Sequence, residues 1–418
     1  MSELRENSRQ VIETSVLIIG AGLVGSTFAG ALSHAEIDSV SIDIQQPNKN
    51  KSIKFDGRAS AIAQGSKMVF DTIGLWDNLE KFAAPILGIR VSEGSSSSYL
   101  HFDHKEVGEE PFGFMLENRF LRLSQNTIYK KNTYAKLIAP SKIIELKYDK
   151  DHIEVQLADG LVVRARLLVG ADGRESDTRK KIGIPLTKLN YDQTAIVCSV
   201  QHQKSHNYIA HEHFMASGPF AILPLNGTQQ NIGCRSSIVW IETPELAATM
   251  IKLCDEDFLF EVSQRFGDFL GQLKIVSSRW QYPLSMQFAP TYISRRAALI
   301  GDAAHGIHPI AGQGLNMGIR DLAVLAEVIS DASRSGRDIG SQSVLRQYQR
   351  RRRFDNTIML AGTDGLNRLF SNSFPPLKLF RNFGLRAVNR IPSLKRAFML
   401  YAMGKSQHAP RLMRGIKI

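Results

Sequence analysis

A glycine-rich turn, Gly20-Ala21-Gly22-Leu23-Val24-Gly25, lies between the apolar run Val16-Leu17-Ile18-Ile19 and a small-residue segment from Leu23 to Ala35. The apolar run has the length and composition of a strand buried in a parallel sheet. The small residues after it suit a helix packed close to that sheet, and Val40 to Ile44 reads as the next strand, completing a βαβ unit. In such a unit Gly20 permits the tight turn, Gly22 lets a pyrophosphate approach the backbone, and Gly25 lets the helix lie against the strand. Unpaired N–H groups at the helix N-terminus then face the anion. Asp43 ends the second strand, 23 residues after Gly20, where a carboxylate accepts hydrogen bonds from ribose hydroxyls. The unit therefore predicts a dinucleotide site.

Two later segments extend this expectation. Val169-Gly170-Ala171-Asp172-Gly173-Arg174 follows a strand-like run; alone, Ala-Asp-Gly is an ordinary turn. Leu299-Ile300-Gly301-Asp302-Ala303-Ala304-His305-Gly306-Ile307-His308-Pro309-Ile310-Ala311-Gly312-Gln313-Gly314-Leu315-Asn316 is longer and more telling. Asp302 ends a buried strand, placed to bind ribityl hydroxyls. Ala311 to Leu315 puts backbone N–H groups at another helix N-terminus, suited to the negative charge that builds on a reduced flavin.

Signals near residues 20, 170 and 301 predict one α/β flavin domain assembled from separated segments, 14–70, 117–182 and 283–345. An inserted β-sheet substrate domain is expected from 71–116 and 183–282, where Thr194 to Trp240 is strand-like with turns at Ser217-Gly218-Pro219 and Asn226-Gly227. A helical, basic C-terminal region is expected over 346–418. After Asp364 no acidic residue occurs, while Arg368, Lys378, Arg381, Arg386, Arg390, Lys395, Arg396, Lys405, Arg411, Arg414 and Lys417 are basic. Leu377, Leu379, Phe380, Phe383, Leu385, Phe398, Met399, Leu400 and Tyr401 interleave with them. This pattern fits either a helical extension packed on its own domain or a face toward anionic lipid or an acidic partner. No nucleic-acid module accompanies the net charge of +12. Cys198, Cys234 and Cys254 are widely spaced, which argues against disulfides, a zinc site or a dithiol motif. Met1 to Val11 lacks the apolar core of a signal peptide, and no apolar run reaches the ~18 residues of a membrane span. A cytoplasmic protein is expected, with peripheral contact to the inner membrane face as its finer possibility.

In order and spacing, these three motifs resemble those of the FAD-dependent aromatic hydroxylases of the para-hydroxybenzoate hydroxylase type. Asp56-Gly57-Arg58-Ala59, Glu117-Asn118-Arg119, Gly218-Pro219-Phe220-Ala221-Ile222-Leu223-Pro224-Leu225, His305 to Met317 and Asn367-Arg368-Leu369-Phe370 narrow the likeness to the ubiquinone-biosynthesis hydroxylases (the UbiH/UbiF/VisC/Coq group). It spans roughly residues 14 to 404. The resemblance implies that Gly20, Gly22, Gly25 and Asp43 hold the ADP half of FAD, and that Arg58 and Asn118 or Arg119 contact the cofactor or shape its domain interface. By the same likeness Asp172 faces FAD and the incoming nicotinamide nucleotide, and Asp302 holds the ribityl chain. Gly312, Gln313, Gly314, Leu315 and Asn316 would flank the isoalloxazine edge, and the Pro309 carbonyl would point toward substrate.

The implied chemistry is reduction of flavin by NAD(P)H and oxygen transfer from O2, through a C4a-hydroperoxyflavin, to the ring of a polyprenylated phenol. His305 and His308 fit either substrate orientation and base catalysis or structural hydrogen bonding. His211 and His213 alternate on a strand and share a face, but lack the further ligands of a metal site, so no metal is expected. Two alternatives remain: another flavin oxidoreductase, such as an isoprenoid reductase or a halogenase, and an FAD-binding accessory protein of a membrane-surface complex. Trp76, Trp240 and Trp280 are isolated and form no Trp-x-Trp-x-Ile-Pro halogenase signature.

Overall fold

The computed structural model describes residues 10–46, 57–94, 99–227, 232–370, 391–406 and 408–418. Asp56, the serines 95–98, Pro375-Pro376 and the tail residues Leu377 to Arg390 lie outside the described residues.

Four strands run parallel and adjacent in one sheet. Ser39–Ile42 pairs with Val11–Ile19, that strand with Val162–Gly170, and Val162–Gly170 with Ala297–Leu299. Ala135–Ile138 adds a parallel edge beyond Ser39–Ile42, and the hairpin Ile143–Tyr148/Ile153–Leu157 joins antiparallel to Val162–Gly170. Val16, Leu17 and Ile18 are fully buried, as expected for a strand covered on both faces. Helices Leu23–His34 and Gly314–Arg334 pack against each other beside this sheet.

The larger sheet has nine strands, mostly antiparallel. Its centre is Thr187–His202, Arg235–Glu242, Gly218–Leu225 and Ile209–Met215, and Ile209–Met215 pairs parallel with Gly88–Glu93. Helices Pro244–Met250 and Asp255–Phe266 cover one face, with Phe220, Trp240 and Phe258 at its core. A three-stranded sheet, Ala59–Ala63, Gly113–Glu117 and Ala84–Ile86, lies apart from both in strand pairing.

The expected division at residue 283 falls inside a strand. Trp280–Phe288 pairs continuously with Thr187–His202 except at a bulge and belongs to the larger sheet, as does His305–Gly306. The bulge between Asn190 and Thr194, where Asp192 has φ +51°, bends the partner strand while both strands stay paired on either side of it. The second strand of the βαβ unit also stops earlier than expected, at Ile42, because the Asp43 carboxylate turns back to the glycine loop.

The described C-terminal region includes helices Gln342–Phe370 and Pro392–Ala402. Several of its cations face the protein's own acids. Lys395 pairs with Glu106 at 2.7 Å, Lys405 with Glu110, and Arg411 with Glu327 and Asp331. Met399 is buried against the three-stranded sheet's cluster. For these residues the structure favours the extension packed on its own domain.

Candidate active site

The registers explain how distant motifs meet. Ile19 lies opposite Ile42 and opposite Gly170, and Gly170 lies opposite Leu299. The carboxyl ends of four neighbouring strands therefore deliver Asp43, the Gly20–Gly25 turn, Asp172 and Asp302 to one edge of the sheet. Ligands of open α/β sheets bind in the crevice outside such ends. A cleft of about 1270 Å³ opens there, lined by Gly20, Gly22, Asp43, Arg58, Asn118, Asp172, Arg174, Asp302, Pro309, Gly312, Gly314 and Leu315.

Each wall has an identifiable support. Gly20 has φ +98°, and a Cβ there would stand 2.5 Å from the Ala171 carbonyl oxygen; one on Gly25 would stand 1.9 Å from the Gly20 carbonyl oxygen. Only glycine allows strand, turn and helix to approach this closely. Asp43 Oδ2 accepts from Ala21 N at 2.7 Å and Oδ1 from Gln45 N at 2.7 Å, so this carboxylate shapes the turn as well as lining the cleft. Gly22 and Gly314 stand at the starts of helices Leu23–His34 and Gly314–Arg334. A Cβ on either would meet nothing within 4 Å. Neither helix has a side-chain cap or an acid in its first turn. Two helix N-termini thus open into one cleft with neither capped by a side chain.

Asp172 accepts from Ser176 Oγ at 2.5 Å and from Thr178 N at 2.9 Å, fixing the loop before the short helix Asp177–Lys181. Asp302 is open to cleft solvent yet enclosed by surrounding protein. Burial raises its carboxyl above the ordinary value, while Arg174 and His305 act in the opposite direction. The Asp172 and Asp302 loops are strapped together by groups remote in sequence. Gln287 Nε2 donates to the carbonyls of Arg174 and Asp302 at 2.9 and 3.1 Å. Arg179 donates to the carbonyls of Ala303 and Arg174 at 2.9 and 3.1 Å. Arg174 itself reaches Ser285 of the larger sheet.

Behind Asp302 lies a buried charge network. Asp321 is 0% exposed and accepts from Gly301 N at 3.0 Å, Arg352 Nε at 2.7 Å and Asn356 Nδ2 at 3.1 Å, with His305 Nε2 at 2.6 Å. Burial opposes its charge, but His305 and Arg352 outweigh that and hold the carboxyl well below the usual range.

Other expected site residues stand back from the cleft lining. Asn316 is 1% exposed; its Oδ1 accepts from Ala63 N and its Nδ2 donates to Ala61 O, both at 2.9 Å, clamping helix Gly314–Arg334 to the strand Ala59–Ala63. Gln313 is buried at the foot of that helix. Arg119 pairs with Glu117 at 2.5 Å and lies over the Phe120 ring, and Glu117 also meets Arg235 of the larger sheet at 2.5 Å. His308 is fully buried: Nδ1 accepts from Ile310 N at 3.3 Å, and Nε2 faces Gln193 Oε1 at 3.1 Å. Burial pushes this imidazole down to about 4, so it is neutral near pH 7. Pro309 does line the cleft, with its carbonyl already accepting from Gly312 N at 2.9 Å. His213 pairs with Ser92 Oγ at 2.8 Å, and His211 packs on Phe266 and Phe269. Among the described residues no group of three or more His, Cys, Asp or Glu is placed to hold a metal.

Comparison with known proteins decides the family. A family model described as an FAD binding domain matches residues 13–359. The chain belongs to this family. It is 47% identical over 406 residues to the ubiquinone hydroxylase UbiL of Rhodospirillum rubrum, covering 96% of this chain and 93% of that protein. It is 31% identical to the human mitochondrial ubiquinone biosynthesis monooxygenase COQ6, covering 93% and 92% of the two chains. The crystal structure of p-nitrophenol 4-monooxygenase PnpA from Pseudomonas putida shares the fold, with a TM-score of 0.76 at 20% identity over 96% of this chain and all of that one. The residues present fit FAD. The glycine turn leaves its backbone open to the cleft, the Asp43 carboxylate lines the cleft beside it, and the uncapped start of helix Gly314–Arg334 offers a positive end to a bound anionic group.

Proposed function

We propose that this protein is an FAD-dependent monooxygenase that hydroxylates the ring of a polyprenylated phenol in ubiquinone biosynthesis, with NAD(P)H as electron donor. One observation carries the reading most directly. The nucleotide turns and an aliphatic wall from the larger sheet, including Ala210, Ala221, Leu223, Val239 and Ile241, border the same cleft. Such continuity suits a cofactor whose reactive ring meets an apolar substrate.

FAD, when bound, supplies electron transfer and oxygen activation; the chain's own residues bind, orient and exclude water. In this reading Gly20, Gly22, Gly25 and Asp43 hold the ADP half, and Arg58 and Asn118 contact the cofactor from the three-stranded sheet. Asp172 and Asp302 hold the middle of the cofactor. Gly312, Gly314 and Leu315 border the flavin, and Pro309 borders the substrate. Gln313, Asn316, Arg119 and His308 act as positioning residues, through the contacts described above. The α/β sheet and its helices form the flavin domain and the larger sheet the substrate domain, with the boundary moved to include Trp280–Phe288 in the latter.

Contact with a membrane surface is assigned to the outer face of helix Gln342–Phe370. Phe354 is 74% exposed there, and Ile358, Arg346, Arg350 and Arg353 are exposed on the neighbouring turns. Apolar side chains flanked by arginines suit an anionic lipid interface. No described helix is long and apolar enough to cross a membrane. The catalytic proposal is tested by supplying a short-chain prenylphenol to the FAD-loaded protein and following NAD(P)H oxidation, O2 uptake and product mass. Turnover coupled to a product heavier by one oxygen supports it; a reduced or halogenated product contradicts it.

A further inference from the structure

Among the described residues, the aliphatic wall of the cleft contains one acid. Glu212 lies opposite Ala221, and Ala221 opposite Val239, so the three share one face of the larger sheet. The chain neighbours of Glu212 face the other way: His211 packs on Phe266 and Phe269, and His213 meets Ser92. Arg90 and His101, from the adjoining strands, act on His211 and belong to that opposite side. The charged groups that share the cleft, Arg58, Asp172, Arg174 and Asp302 among them, come from the turns and strands at its nucleotide end.

Among the described residues no donor reaches Glu212, and burial alone pushes its carboxyl up to about 7. An unpartnered acid on an aliphatic wall opposes folding. Leucine would fill this position better if the wall served only to pack. The cleft side is also where a ligand arrives.

We propose that Glu212 accepts the ring hydroxyl of the substrate and takes its proton as oxygen is delivered to the ring; this rests on the hydroxylase reading above. The phenol O–H bond breaks, the proton forms an O–H bond on the Glu212 carboxylate, and the freed electron pair moves into the ring. That pair enriches the carbons ortho and para to the hydroxyl, and one of them bonds the outer oxygen of the O2-derived hydroperoxide as its O–O bond breaks, the O–O pair leaving on the inner oxygen, which takes up a proton from solvent. Rearomatisation then releases the C–H proton of that carbon to water, while Glu212 returns its proton to the original ring oxygen. The carboxylate is regenerated and the product carries two ring hydroxyls. The site is therefore specific for a ring with a free hydroxyl, and the new oxygen enters ortho or para to it.

The test uses the full chain loaded with FAD, a short-chain prenylphenol, and the O-methyl ether of that phenol, which lacks the acidic proton. Binding is read from the perturbation of the flavin spectrum, independently of turnover. The wild type binds the phenol about 10-fold or more tightly than the ether, as expected of a hydrogen bond to a carboxylate. Glu212→Leu keeps FAD and loses this preference. Glu212→Gln retains an acceptor oxygen but cannot take the proton, so hydroxylation falls by about 100-fold or more, and the rise of kcat/KM through pH 7 disappears. Both replacements relieve an unpartnered acid, so the fold is retained.

Equal phenol preference in Glu212→Leu, or wild-type hydroxylation by Glu212→Gln, overturns the assignment. If the wild type forms no hydroxylated product but prefers the phenol, and Glu212→Leu does not, the hydroxylase reading fails while hydroxyl recognition by Glu212 stands.

Discussion

Replacing Asp321 with asparagine removes the fully buried negative charge on which Gly301 N, His305, Arg352 and Asn356 converge. Breaking a buried ion pair by removing one partner costs about 3–5 kcal/mol, because the remaining charge stays desolvated. Arg352 keeps Asp355 as a second partner, which places the expected loss near the lower end, about 3 kcal/mol. The perturbation reaches the site directly, since Gly301 N is the residue before Asp302 and loses a charge-assisted bond. A weakening of FAD binding by about 10-fold, equivalent to ~1.4 kcal/mol, is expected. Urea unfolding of the apoprotein reads the first effect and flavin fluorescence titration the second. Adding Arg352→Met removes the stranded cation, so the double variant should lose at least ~1 kcal/mol less than the sum of the singles. The acid dependence has a definite sign. The folded carboxyl is held below its unfolded value of about 3.9, so its stabilisation is complete above that pH and is lost as pH falls toward the folded value. D321N should lose less stability than wild type on acidification below pH 4. A loss under ~1 kcal/mol with unchanged FAD affinity would refute a structural charge network behind Asp302.

Gly25→Ala places a Cβ against the Gly20 carbonyl oxygen, so this variant should lose FAD, measured as the flavin-to-protein absorbance ratio; a full complement would show that the turn yields. His308→Ala should destabilise the loop by about 1–3 kcal/mol through its lost hydrogen bonds. It should leave the shape of the pH–rate profile between pH 5 and 8 unchanged, because the imidazole is already neutral there; a lost ionisation in that range would give His308 a proton-transfer role. Burial pushes the Cys198 thiol up to about 12, so a thiol reagent on native protein should modify exposed Cys254 and spare Cys198, as peptide mass mapping will show. Phe354→Ser with Ile358→Ser should reduce sedimentation with anionic vesicles without altering turnover of a soluble prenylphenol; unchanged sedimentation would remove helix Gln342–Phe370 from any lipid contact.

The α/β half was legible because its determinants are local. A strand, three glycines and a terminal acid within residues 16–43 specify one unit, and Asp172 and Asp302 each follow an apolar strand in the same way. What the sequence concealed depends on long-range pairing. Asp321 sits mid-helix between Arg320 and Leu322 and meets Gly301 twenty residues earlier and Arg352 thirty-one later. Gln287 looks like any polar residue on a strand until it straps the Arg174 and Asp302 loops. His308 belongs to a motif that borders the cleft, but the direction of its ring is set by Gln193, 115 residues earlier on strand Thr187–His202. Glu212 was within reach: if His211 and His213 share one face, the residue between them must take the other. The extent of tail pairing was not, because Glu106, Glu110, Glu327 and Asp331 are distant in sequence from the cations they meet.

The most direct test of the account is single-turnover mass analysis of purified, FAD-loaded protein given NAD(P)H, isotopically labelled O2 and a short-chain prenylphenol. The account predicts a flavin spectrum, NAD(P)H oxidation accelerated by the phenol, and one labelled oxygen on the ring, ortho or para to the existing hydroxyl. A flavin-loaded protein that leaves the phenol unlabelled under these conditions would contradict it.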